Sequence, residues 1–238
     1  MNEVVAIIPA RGGSKRIPEK NLRLFRGRPI IAWSIQAAQE SGCFDRIVVS
    51  TDDPRIAAIA RQFGAEVPFT RPACLADDQT PTVPVIRHAI ETLESFGDAI
   101  EEVCCLYATA PFVTPENIAE GLSLLRQGPD VDYVATMTTF PFPIYRSVRR
   151  DDEGWIQMNW PEHELTRSQD LPETFHDAGQ FYWGTKAAFM FKTGIFSAKT
   201  RPLMLPRHCV QDIDTPEDWA RAELMHEALH RMSSRKVA

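Results

Sequence analysis

The densest concentration of chemically useful residues is Pro9-Ala10-Arg11-Gly12-Gly13-Ser14-Lys15-Arg16-Ile17-Pro18-Glu19-Lys20-Asn21. Two adjacent glycines let a backbone turn aim its N–H groups inward, a concavity suited to phosphate oxygens. Arg11, Lys15, Arg16 and Lys20 surround that turn with positive charge, offset only by Glu19. Lysine supplies a mobile point charge and arginine a planar fork, a combination fitted to a polyphosphate whose charge moves during reaction. The spacing is neither G-x-x-x-x-G-K-[ST] nor G-x-G-x-x-G, so neither a Walker-type loop nor a dinucleotide fingerprint is present. A solvated basic turn is the plain alternative. The density of cations after a first strand favours an anion site.

Asp212-Ile213-Asp214 offers a second chemistry. In an extended segment, residues two apart project to the same side, so both carboxylates can reach one hard cation. Mg²⁺ commonly takes one or two protein carboxylates and completes its shell with water and substrate phosphates. The alternative makes Asp214 part of the turn before Thr215-Pro216. Coupled to the cationic turn, the pair points to metal-assisted chemistry on a nucleotide phosphate. Arg71-Pro72 and Asp77-Asp78-Gln79-Thr80 could form a nucleotide-binding loop or a solvated turn. Arg167-Ser168-Gln169-Asp170 and His176-Asp177-Ala178-Gly179-Gln180 carry donors suited to a polyhydroxylated acidic substrate, with Arg167 a natural fork for a carboxylate. Their alternative is an anchoring or interface network. His176 and Asp177 are not expected to form a dyad, because neighbours in a strand point oppositely.

The chain has 238 residues, 26 Lys plus Arg against 32 Asp plus Glu, and a net charge of −6. One domain with an excursion is expected at this length. The acidic balance argues against nucleic acid as a partner, since duplex binding needs a basic face to displace counterions. No apolar run approaches the ~18 residues of a membrane span. The start, acidic before a very short apolar run, lacks the form of a secretory signal. Five cysteines without a C-x-x-C pair indicate neither a disulfide framework nor structural zinc, and Cys104 and Cys105 read as buried thiols. A cytoplasmic location is the expectation.

To bring the two ends of the sequence together, the intervening chain must fold into a layered scaffold. Apolar runs at 4–8, 46–50, 66–69, 103–107 and 133–137 read as strands. Helical patterns lie between them: 29–42 with Ile30, Trp33 and Ala37 on one face, 53–64 capped by Asp53-Pro54, 82–96, and 114–128 capped by Thr114-Pro115. This alternation predicts a mostly parallel sheet with helices on both faces, whose ligands sit outside the carboxyl ends of the strands. Residues 140–179 break the rhythm with Pro141, Pro143, Pro161, Pro172 and several aromatics, and read as an inserted arm or lid. Strands resume at 180–186 and 202–205, and Thr215-Pro216-Glu217-Asp218 caps a final helix to about residue 232, followed by a frayed tail.

The opening turn with Lys20-Asn21 resembles the signature loop of the CMP-sialic acid synthetases, cytidylyltransferases of nine-carbon acidic sugars. Ser50-Thr51-Asp52-Asp53, Arg71-Pro72, Arg167-Ser168-Gln169-Asp170-Leu171 and Asp212-Ile213-Asp214-Thr215-Pro216-Glu217-Asp218 are similar to later blocks of that family, in order, over residues 3 to about 229. Two blocks depart from it: Tyr107 in Leu106-Tyr107-Ala108-Thr109-Ala110-Pro111 stands where the family carries glutamine, and Asp177-Ala178-Gly179-Gln180-Phe181-Tyr182 replaces Asn-Gly-Ala. These departures are similar to the branch that activates pseudaminic acid, a bacterial sialic-like sugar. The resemblance implies an α/β, Rossmann-like nucleotidyltransferase fold, a single domain over 1–238, and an arm at 140–179 that serves a homodimer, explaining Phe140, Phe142, Tyr145, Trp155 and Trp160. It implies CMP transfer from CTP to an acidic nonulosonic sugar with Mg²⁺. Arg11 and Lys15 then serve the phosphates and Asp212 and Asp214 the metal. Ala10, Gly12, Gly13, Ser14, Lys20, Asn21, Arg71, Asp78 and Thr80 fall on the nucleotide side, and Tyr107, Arg167, Gln169, Gln180 and Tyr182 on the sugar side. N-acetylneuraminate and legionaminate are the alternative acceptors. A catalytically silent nucleotide-sugar binding protein is the alternative from another class.

Overall fold

The structure is a computed structural model that describes residues 3–192 and 194–236. Chain order begins with β1 (Glu3–Pro9), the short hairpin β2 (Leu24–Phe25) and β3 (Arg28–Pro29), and α1 (Ile30–Ser41). It continues through β4 (Arg46–Ser50), α2 (Pro54–Gln62), α3 (Thr82–Ser95), β5 (Ile100–Leu106), α4 (Pro115–Leu125) and β6 (Tyr133–Thr139). Then come the arm hairpin β7 (Val148–Arg150) and β8 (Ile156–Met158), β9 (Phe175–Thr185), α5 (Lys186–Phe191), β10 (Thr200–Met204) and α6 (Pro216–Lys236). None of the described helices is long and apolar enough to cross a membrane.

The caps explain where the helices begin. Asp53 accepts from the Arg55 amide and Pro54 occupies the first turn of α2; Thr114 accepts from the Asn117 amide ahead of Pro115 in α4. At the other end of α1, Gly42 adopts φ 63°, a left-handed C-cap that a β-carbon would penalise.

Six strands form one sheet in the order β10-β6-β9-β5-β1-β4. β1 runs parallel to β4 and β5, and β10 parallel to β6, while β9 lies antiparallel between β5 and β6. The sheet is therefore mostly parallel, as expected, with one reversed interior strand. Both faces are covered. Ile8, Val49, Leu106, Phe181 and Trp183 share a core with α1 and α4, and Val5, Ile7, Val103 and Tyr133 share another with α3 and α5. Cys104 and Cys105 are buried on opposite faces, as free thiols.

Four expectations change. Residues 66–69 make a single bridge, Val48 to Glu66, rather than a strand, because Pro68 cannot donate to a ladder. β9 starts at Phe175, so the end of the expected arm is already sheet; the strand ends at Thr185, whose hydroxyl caps α5. Two short elements, β2–β3 and α5, had no period long enough to read. The last helix also outruns its expected end and continues to Lys236, with residues 237–238 outside the described set.

Candidate active site

A third apolar cluster explains how residues two hundred positions apart meet. Ile17 from the cationic turn and Ile213 from between the two aspartates are both fully buried in it, with Phe25, Ile30, Phe112 and Trp219. Burying Ile213 turns its two neighbours away from that cluster, so the apolar residue between the carboxylates fixes their direction. Arg23 lies 4.6 Å over the Trp219 ring and adds a cation–π contact to the same junction.

The cationic turn follows β1 and is pinned by its own backbone. Ala10 N–H donates to Ser50 O at 2.9 Å, Gly12 N–H to Asp52 Oδ1 at 2.9 Å, and Ser14 N–H to Gly12 O at 3.0 Å. Of the Gly12, Gly13 and Ser14 amides, two are therefore engaged within the protein, and the Gly13 N–H has no partner among the described residues. Ala10 contributes backbone only, its methyl lying in the core. A β-carbon on Gly12 would come within 2.9 Å of Asp53, so this position tolerates no side chain without moving the cap of α2. Asn21 closes the turn by donating to Arg11 O at 2.9 Å.

The turn borders a cavity of about 460 Å³ that includes Arg11, Lys15, Lys20, Asp78, Thr109 and Asp214 among its walls. Asp78 pairs with Arg11 at 2.5 Å and with Lys15, and these contacts, led by Lys15, hold its carboxyl below the usual range. Arg11 also donates to Asp77 O at 2.6 Å. Asp214 pairs with Arg16 at 2.9 Å and Lys20 at 3.3 Å. The first and last motifs of the sequence thus meet at Asp214.

Asp214 also borders a second cavity of about 430 Å³, together with Asp212, Asp177, His176, Arg207 and Arg221. The Asp212 carboxyl is pushed up from its ordinary value by loss of hydration and by Asp214 beside it. A like charge beside it makes the ionised form of Asp212 costlier, and a bound cation would relieve that cost. No group of three or more His, Cys, Asp or Glu side chains suited to a metal occurs among the described residues. Two carboxylates beside a phosphate-sized cavity fit Mg²⁺, which draws its remaining ligands from water and phosphate.

Other expected residues lie elsewhere. Arg71 is 4% exposed and does not face the first cavity: it donates to Ser50 Oγ at 3.1 Å and to Ser50 O, and burial pushes its guanidinium down to about 10. The structure makes it a support beneath the end of β4 rather than a base contact. The Thr80 hydroxyl and amide both donate to Asp77 Oδ1 at 2.7 Å, a local turn that shapes the loop behind Asp78. Tyr107 shares a hydrogen bond with Thr82 at 2.9 Å and stands edge-on to Tyr182, whose hydroxyl donates to Asp177. Burial pushes the Tyr107 phenol up to about 12. Gln180 is 3% exposed and donates to Cys209 O at 2.7 Å, so it ties β9 to the loop before Asp212. Arg167 donates through Nε to Asp170 Oδ2 at 2.7 Å in the exposed segment between β8 and β9, where Gln169 also lies, and neither borders the two cavities. The His176 ring meets the Asp177 backbone carbonyl at 2.8 Å, not its carboxylate, so no dyad forms.

Sequence reasoning missed Arg207 and Arg221. No motif marks them; the available signal was that Arg207 follows the last strand, β10, where loops of such sheets carry function.

The sequence profile described as "Cytidylyltransferase" matches residues 5–229. Over 226 residues the chain is 39% identical to the pseudaminic acid cytidylyltransferase of Campylobacter jejuni, covering 95% of this chain and 97% of the relative. It is 32% identical to the CMP-N,N'-diacetyllegionaminic acid synthase of Legionella pneumophila, covering 94% of this chain and 96% of that protein. A solved CMP:2-keto-3-deoxy-manno-octonic acid synthetase complexed with CTP is similar in fold, with a TM-score of 0.70 at 17% identity, covering 95% of this chain and 99% of that one.

Proposed function

The chain belongs to the cytidylyltransferase family, and from that premise we propose that it transfers CMP from CTP to pseudaminic acid, releasing pyrophosphate. The observation that carries this reading is the meeting of the cationic turn and the aspartate pair at Asp214, on the border of two adjoining cavities. A nucleoside triphosphate needs the first, an acceptor sugar the second, and the reacting phosphorus belongs between them.

The reaction is an in-line attack by a sugar hydroxyl on the α-phosphorus, so the protein's work is positioning and charge stabilisation. Arg11 and Lys15 bind the α-phosphate and pyrophosphate oxygens, with the Gly13 amide beside them. Lys20 balances Asp214, and Asn21 keeps the turn closed through Arg11 O. Asp212 and Asp214 would hold Mg²⁺, which when bound would neutralise phosphate charge and acidify a nearby hydroxyl. Tyr107, Tyr182 and Gln180 support the acceptor side from behind.

We further propose a homodimer formed through the arm. Tyr145 packs edge-on to Trp160 at 5.4 Å and Phe140 against His176 at 4.8 Å, so these rings are used internally. Phe142 and Trp155 remain 80% and 69% exposed, an apolar surface suited to a second copy, to which the arm would carry Arg167 and Gln169.

Pyrophosphate release and CMP-sugar formation with CTP, Mg²⁺ and a panel of pseudaminate, diacetyllegionaminate, N-acetylneuraminate and deoxyoctulosonate test the reading. The largest kcat/KM is expected for pseudaminate. Preference for another acid contradicts the acceptor, and no CTP consumption with any acid contradicts the activity.

A further inference from the structure

Resting on that reading, we infer that Arg207 and Arg221 form the subsite for the carboxylate of the acidic acceptor, in the second cavity beside Asp212. The cavity holds four carboxylates and two guanidinium groups, and their partners separate their roles. Asp218 is committed to the turn before α6: it accepts from the Thr215 amide and hydroxyl at 2.8 Å each and from the Asp214 amide at 3.1 Å. Asp177 is committed to the Tyr182 hydroxyl and to the Gly179 amide at 2.9 Å. Asp214 is held by Arg16 and Lys20. Arg207 and Arg221, by contrast, make no close ion pair among the described residues: Arg207 reaches the Phe140 carbonyl at 3.5 Å, and Arg221 acts on Asp218 only at longer range.

An acidic sugar entering this space meets the negative charge of Asp212 and Asp214. Its carboxylate needs a compensating cation that the site does not already use. Arg11 and Lys15 are taken by Asp78 and, in the reaction, by phosphate. Within one chain Arg167 pairs through Nε with Asp170 outside the cavity, and Arg167 of a second copy, which the proposed arm would bring, is the rival that Arg167→Ala tests. The two arginines in the cavity wall meet the requirement, and a guanidinium offers a carboxylate paired donors. A volume of about 430 Å³ is of the order that small-molecule sites use. Arg207 and Arg221 come from the loop after β10 and from α6, the two segments that flank the Asp212–Asp214 pair, so one stretch of chain would set both metal and acceptor geometry.

The test pairs substrate and protein changes. Wild-type enzyme, Arg207→Ala, Arg221→Ala and Arg167→Ala are each assayed with pseudaminate and with its neutral carboxamide, and acid binding is followed separately by calorimetry. The wild type is expected to favour the acid by about 100-fold in kcat/KM, and each of the first two variants to cut that preference about tenfold, leaving KM for CTP and the thermal midpoint unchanged. Preference unchanged in both variants, or lost in Arg167→Ala instead, overturns the inference. Absence of CMP transfer by the wild type, with acid binding that still depends on Arg207 and Arg221, defeats the transfer reading and leaves the carboxylate subsite standing.

Discussion

At the scale of single residues, Asp78 sets an internal carboxylate on the two cations that a triphosphate would also seek. CTP must exchange with it. Exposed pairs of this kind are weak and screened by salt, so Asp78→Asn is expected to tighten CTP binding by about two- to fivefold and to lower its salt sensitivity. Calorimetric titration at two ionic strengths measures this; weaker binding would make Asp78 a nucleotide contact instead. The cations themselves were legible from residue type and crowding. Their engagement with Asp78 was not, because it depends on where a loop some sixty positions away comes to rest. Arg71 shows the same limit in reverse: its type suggested ligand binding, and only its burial against Ser50 reveals a structural role.

At the scale of elements, the close approach of α4 to β9 has little slack. A β-carbon on Gly121 would lie 2.6 Å from Trp183 Cδ1 and 2.9 Å from Phe181 Cε2, so Gly121→Ala should cost about 1–3 kcal/mol of stability in urea unfolding. An unchanged midpoint would mean that the helix shifts freely. On α6, His226 sits among Trp33, Phe25 and Phe112. Burial, reinforced by Arg26, His230 and Arg28, lowers its proton affinity. The folded protein therefore binds fewer protons here than the unfolded chain, whose imidazole titrates near 6.5, and stability falls as pH drops from about 7 through 6.5 and below. His88, also lowered by burial, adds to that slope. His226→Phe should flatten it, read from unfolding midpoints between pH 7.5 and 5.5; an equal slope in the variant would contradict the assignment. Most helices and strands could be read from period and caps, since Asp53-Pro54, Thr114-Pro115 and Gly42 act locally. The insertion of β9 between β5 and β6 could not, because strand order depends on pairings that no local pattern encodes.

At the scale of the molecule, the proposed dimer depends on the arm. Trp155 and Ile156 are exposed on its hairpin, as are Phe142 and Leu165 nearby. Sedimentation velocity should show a dimer for the wild type and a monomer for a variant joining Trp155→Lys with Ile156→Glu; a wild-type monomer at micromolar concentration would remove the arm's proposed role. The central claim concerns convergence: the turn after β1 and the aspartates before α6 act on one triphosphate. A double-mutant cycle of Lys15→Ala and Asp212→Asn, read as the single-turnover rate of CMP transfer, tests it most directly. Each change is expected to slow transfer about 10²–10³-fold, and the two together little more than the worse one, as groups serving one transition state do. Losses that multiply in full, or a single variant that keeps the wild-type rate, would contradict the account.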